Sequence, residues 1–287
     1  MKKNLISLLS VIVVLCLQFT IYLLFFHSNL VKWGATEYEV TMPMPGDNYA
    51  ERISCTRSID INKPTADVWA YLVDLGADRK GFYSFGFIEK IYGCEIAKQI
   101  KEENRELKVG RVISADSAGK SKYGFKVIEV VQGQSMVLEG WGGFLINKID
   151  ENNSRLIIRT HDSTPHNVLQ RFNNSVFDAM HYIMEKRMML GIKDLAESNG
   201  VYTTTKDLIW FLCIFISGLA GLLMIFFSKV YMKLVLPSIF FTIWQFTLLV
   251  LDPKPFYGIV LIIIVSVFIV WIRTQYMSKG NKSNLIE

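Results

Sequence analysis

The chain has 287 residues, 51% of them hydrophobic, and a positive mean hydropathy of +0.28, which is more apolar than a purely water-soluble protein of this size. Its net charge of +5 would suit a nucleic-acid partner, but between positions 30 and 206 the 23 Lys and Arg are matched by 23 Asp and Glu, so the surplus lies in the ends. A balanced middle carries no net field to collect phosphates, and nucleic acid is excluded as a partner.

From Leu5 to Phe26 the sequence is almost unbroken in apolar residues after Lys2 and Lys3, long enough to cross a hydrocarbon core of roughly 30 Å. A cleaved leader usually has an apolar region of only about 7 to 15 residues before a small-residue site. Phe25-Phe26-His27-Ser28-Asn29 offers no such site, so residues 1–29 read as an uncleaved signal anchor. Residues 30–50, with Pro43 and Pro45 around two methionines, read as a linker, and Trp33 suits the interfacial aromatic belt.

Alternating Ile53, Cys55, Arg57, Ile59 and Ile61 predict a strand. Pro64 then opens a short helix carrying Val68, Trp69, Leu72 and Leu75 at helical spacing until Gly76. A second short helix is expected over Tyr83 to Tyr92, closed by Gly93. Strands are expected at Arg111–Ala115, Gly124–Val131, Ser135–Trp141, Phe144–Ile149 and Arg155–His161, rich in Val, Ile and Phe and separated by glycines. Strands in tandem without intervening helices imply antiparallel pairing. A long helix over Asn174–Ser198 carries Phe177, Met180, Met184, Met188 and Ile192 near i, i+4 spacing, with Gly200 just past its end.

The strand-to-helix passage from Ile61 to Gly76, the Gly81-Phe82-Tyr83-Ser84-Phe85 stretch and the long helix together resemble the START-like (SRPBCC) superfamily, which includes polyketide cyclases and lipid-transfer proteins. The resemblance implies an α+β helix-grip domain over residues 51–200, in which a curved antiparallel sheet folds around the long C-terminal helix with a cavity between them. It makes a lipid or other apolar small molecule the expected partner. Cavities of that kind are lined by aromatic rings and adaptable thioethers with a few polar groups. The candidate lining residues are therefore Phe82, Tyr83, Phe125, Trp141, Phe144, Arg159, Met180, Met184 and Met188.

No residue pattern dictates a reaction. The cysteines Cys16, Cys55, Cys94 and Cys213 form no CxxC and no His-Cys ligand cluster, so neither a metal nor a cofactor is expected. Cys55 and Cys94 are either a disulfide or two buried thiols. His161, Asp162 and His166 offer acid-base or ligand chemistry, but on a Ser-Thr-Pro segment they read first as a polar turn. His181 and Glu185 stand at i, i+4, the spacing of an ordinary helix-surface pair or, inside a cavity, of a tuned acid. The leading expectation is a binding module; a polyketide cyclase/dehydrase-like enzyme and a membrane sensor or assembly protein are the alternatives.

Beyond Thr205, the stretches Leu208–Phe227, Leu234–Leu251 and Phe256–Ile272 are further candidate spans. They give a three-helix membrane region at 207–273, followed by a tail at 274–287. Gln245 and a few Ser and Thr are the polar residues noted within the spans. Lys and Arg beside spans stay in the cytoplasm, and seven of the eight basic residues outside positions 30–206 fall on one side of a four-span arrangement; Lys254 is the eighth. The sequence thus predicts a multi-pass cell-membrane protein with both termini cytoplasmic and the START-like domain on the outer face.

Overall fold

The computed structural model describes residues 2–91, 106–115, 124–198, 204–228 and 232–283. Cys94, Gly93, Gly200 and Lys229 of the sequence argument lie outside them. The chain divides into two compact units, Met1–Phe26 with Thr205–Glu287 and His27–Thr204.

In the second unit, six strands form one sheet in the order β1-β6-β5-β4-β3-β2: β1 (Arg52–Ile61), β2 (Val112–Ser114), β3 (Gly124–Val131), β4 (Ser135–Leu138), β5 (Gly142–Lys148) and β6 (Ser154–Asp162). Every pairing is antiparallel, as tandem strands require. The fourth strand ends at Leu138, before the expected Trp141, because Gly140 takes a left-handed φ of 79° and the Trp141 N–H donates back to the Leu138 carbonyl.

Numbering the helices from the N-terminus, α1 (Lys2–Ile21) belongs to the first unit, and the second holds α2 (His27–Val31), α3 (Glu37–Thr41), α4 (Thr65–Val73), α5 (Gly86–Ile91) and α6 (Val168–Glu197). The long helix starts two turns earlier than its apolar spacing suggests, because Asn167 caps it by accepting the Gln170 N–H at 2.8 Å. Met188, Met189, Ile192 and Ala196 of α6 share one buried core with Ile61, Val68, Leu72, Val127, Met136, Phe144 and Ile158. Fully burying side chains of this kind contributes about 1.5–3 kcal/mol each.

The period of two along a strand sends alternate side chains to opposite faces. On β1, Cys55, Arg57 and Ile61 face the side of α6. Thr56, Ser58 and Asp60 face the other, opposite Arg159, Ile157 and Arg155 of β6. Residues 30–50 cover this second face and are therefore part of the fold, not a linker. Thr36 and Glu39 form a capping box that starts α3. The Glu39 carboxylate is buried against Arg155 at 2.5 and 2.8 Å, and Met44 packs on Leu145 and Ile157. No side chain fits at Gly143, where a Cβ would lie 2.2 Å from the Pro45 carbonyl oxygen. The Trp33 ring packs edge-on against Tyr182 at 6.4 Å beneath the Lys186 ammonium.

In the first unit, α1 is joined by α7 (Thr204–Phe227), α8 (Met232–Leu249) and α9 (Pro255–Ser283). Among the described residues four helices are long and apolar enough to cross a membrane, over Leu5–Val31, Thr205–Phe227, Met232–Leu249 and Pro255–Thr274. The first and third of these are tied by polar side chains. Gln18 donates to the Ser238 carbonyl at 3.1 Å, Gln245 donates to the Gln18 carbonyl at 3.2 Å, and Lys233 donates to Ser7 Oγ at 2.8 Å. Low residue numbers meet low and high meet high, so α1 and α8 run parallel. Gln18 completes this network with Gln245; a glutamine in an apolar span, where an unmet amide is expensive, was its sequence signal.

Candidate functional site

The second unit encloses a cavity of about 450 Å³ between three walls. Strand residues Ser54, Phe125 and Thr160, with Trp141 from the β4–β5 turn, form one. Phe177, His181, Met184, Glu185 and Met188 of α6 form the second, and Phe82, Ser84 and Glu89 the third. The third wall is held by Glu89, whose buried carboxylate accepts the Phe82 and Ser84 N–H groups at 3.0 and 2.9 Å. Burial pushes the Glu89 carboxyl upward despite those two bonds. Ser84 Oγ donates to the Met184 carbonyl at 2.9 Å. Tyr83, at a left-handed φ of 56°, presses its backbone onto α6. Only glycine fits at 191, since a Cβ there would lie 2.0 Å from the Tyr83 carbonyl oxygen.

Of the nine candidate lining residues, Phe82, Phe125, Trp141, Met184 and Met188 line the cavity. Four others point elsewhere, each for a local reason. The Tyr83 side chain is buried with its hydroxyl donating to the Tyr71 carbonyl at 3.1 Å, and Phe144 is wholly buried in the core behind Trp141 at a 5.3 Å ring separation. Met180 lies on the outer side of α6, 64% exposed. Arg159 is on the opposite sheet face by strand parity. There its guanidinium donates to the carbonyls of Glu39, Val40 and Met42 at 2.6, 3.0 and 2.8 Å and to Asp47 at 2.7 Å, so it fastens the N-terminal segment.

The polar centre of the cavity is Glu185. Its side chain is fully buried and ion-paired with Arg57, itself buried, which also donates to the Leu30 carbonyl at 2.8 Å and stacks on the Tyr182 ring. Around the other carboxylate oxygen stand Trp141 Nε1 at 3.4 Å and Thr160 Oγ1 at 3.5 Å. His181 Nδ1 lies 3.9 Å from the carboxylate, and burial holds its imidazole below the usual histidine range. The i, i+4 pair is thus a buried one at the cavity, not a solvated helix face. Glu185, Lys186 and Arg187 are all buried, although apolar spacing would have turned them outward. Their burial follows from α2, Trp33 and the strands enclosing the helix on more sides than one.

Cys55 Sγ, a His181 ring nitrogen and a Glu185 oxygen lie within 4.8 Å of one another, a donor set that metals use. Arg57 already occupies the Glu185 oxygen nearest Cys55. Burial, then the Glu185 charge, pushes the free Cys55 thiol up to about 11. The arrangement fits an arginine-carboxylate pair beside a protonated thiol better than a ligand set awaiting a cation.

The His161, Asp162 and His166 group does not assemble. The His161 imidazole stands 3.8 Å from Asp47, and Asp162 pairs with Arg52 and accepts from Asn174 at 3.0 Å. His166 is exposed, with its backbone N–H donating to Gln170. Asp178, one turn before His181 on the rim, lies 3.3 Å from His27. Compared with family models, curated proteins and solved structures, the chain matches none.

Proposed function

We propose that the His27–Thr204 unit is a START-like helix-grip module that holds a lipophilic small molecule or lipid in the cavity beside α6, anchored in a membrane by the four apolar helices. The observation that carries this reading is the cavity itself. Space of about 450 Å³ between ring-lined strands and a methionine-bearing helix, with a few buried polar groups at one side, suits a ligand with an apolar body and a polar end. Native mass spectrometry of the detergent-purified protein should reveal a co-purifying small molecule or lipid that a Met184→Asp variant no longer retains. A wild-type protein that is empty, and stays empty when offered lipid extracts, overturns the proposal.

One observation favours an enzyme as the second reading: His181 is held unprotonated beside a buried carboxylate at the cavity wall, the placement of a general base. If so, His181→Gln retains the ligand but halts its conversion, and mass analysis after incubation separates the two outcomes.

We further infer that the module lies on the outer face of the cell membrane with both ends of this sequence in the cytoplasm. Basic residues beside spans support this. So does the bond between Lys233 and Ser7, which brings the start of α1 and the α7–α8 junction to one end of the helix unit. A cysteine introduced at exposed Asn152 should react with a membrane-impermeant reagent in intact cells, and one at Asn281 should not. The reverse pattern refutes the orientation.

A further inference from the structure

We propose that the ligand of this cavity is an amphiphile with a positively charged end, an alkyl- or aryl-ammonium, held among aromatic rings and carboxylates. The inference rests on the cavity being a ligand site and names the chemistry it selects.

Charge sign is the first support. Among the described residues that line the cavity, Glu89, Asp162, Asp178 and Glu185 are acidic, and none is Lys or Arg. The nearest guanidiniums stand behind two of these carboxylates, Arg57 paired with Glu185 and Arg52 with Asp162, and His27 lies 3.3 Å from Asp178. Desolvation keeps the two bordering histidines below their ordinary range, so near neutrality neither supplies a compensating cation. An anionic headgroup entering here meets a lining whose ionisable groups are carboxylates and imidazoles, with the arginines set behind it, whereas a cation meets carboxylate oxygens directly.

Ring geometry is the second and independent support. Phe125 and Phe82 stand 4.8 and 6.1 Å from Trp141, centroid to centroid, and the His181 ring lies 6.2 Å beyond Trp141 with Phe177 stacked on it at 5.7 Å. The aromatic groups thus form a continuous wall around the same space as the carboxylates. Ring faces attract a cation that has shed water, Trp most strongly, and this is how quaternary ammonium groups are recognised. The same wall accepts the ligand's apolar body, so one surface serves both ends.

The test uses the full-length protein in a non-ionic detergent and three probes of one shape: 4-phenylbutyltrimethylammonium, 4-phenylbutanol and 4-phenylbutanesulfonate. Isothermal titration calorimetry, with detergent-only blanks, should give the ammonium an affinity at least about tenfold above the alcohol, and no measurable binding of the sulfonate. Asp178→Asn and Phe177→Ala alter the rim without removing core side chains; Asp178→Asn should lower ammonium affinity more than alcohol affinity, whereas Phe177→Ala, which removes part of the shared wall, should lower both. Equal binding of alcohol and ammonium, or tighter binding of the sulfonate, overturns the cation inference and leaves the cavity reading standing. No binding of any probe, alongside a protein that purifies empty, overturns both.

Discussion

The two faces of the sheet are held by different physics. On the face toward α6 the core is apolar, and the charged pair of Arg57 with Glu185 is sealed from water. On the opposite face, Arg155 and Arg159 reach up from β6 to bind carboxylates and main-chain carbonyls of residues 34–47. The first face leaves a cavity because packing there is between large side chains on separate elements. The second leaves none, since guanidiniums hydrogen-bond directly to the backbone and Gly143 admits the Pro45 carbonyl. On the first face the ion pair borders open space, whereas on the second the guanidiniums are taken up by the backbone.

Removing one partner of the inner pair should give the largest effect. Arg57→Met leaves the Glu185 charge buried and uncompensated, and thermal or denaturant unfolding should report a loss of about 3–5 kcal/mol. The double variant Arg57→Met with Glu185→Met should recover most of that loss, since replacing a buried pair by apolar residues is often near neutral. If the double variant is as damaged as the single, the loss comes from the neighbours Trp141, Thr160 and Leu30 and not from the unpaired charge.

On the other face, Arg159→Met should cost about 1–3 kcal/mol through orphaned carbonyls. It should also raise amide hydrogen exchange in residues 36–47 while leaving ligand retention intact. Lost retention with an unchanged segment would place Arg159 functionally at the cavity after all.

The smallest effect is one of pH. Burial alone would raise the Glu39 carboxyl, but the Arg155 guanidinium and the Thr36 N–H hold it down, from 4.5 to about 2. A carboxyl depressed in the folded state contributes stability that is fully present above its unfolded pKa, and this is lost as the pH falls from about 4.5 toward 2. Glu39→Gln should therefore be less stable than the wild type at neutral pH and converge with it in acid. A constant gap across that range would mean that the carboxylate charge is not what Arg155 holds.

Much of the architecture could be read from residue order. Cys55, Arg57 and Ile61 alternate onto one face, the tandem strands could only pair antiparallel, and the apolar runs were long enough to span a membrane, because period and length are local properties. The Thr36-Glu39 capping box is equally local and starts α3 within residues 30–50, a stretch whose two prolines otherwise suggest a linker.

What only the tertiary structure decided was the environment of groups whose sequence neighbours say nothing of their partners. Glu185 and Lys186 look like a solvated helix face until Arg57 and Trp33 converge on them across more than a hundred residues of sequence. Arg159 reads as a polar group for a cavity, and strand parity together with a segment far away in sequence turns it to the opposite face. Charge burial and cavity shape depend on which distant elements enclose a side chain, and that is fixed by packing, not by the order of neighbouring residues.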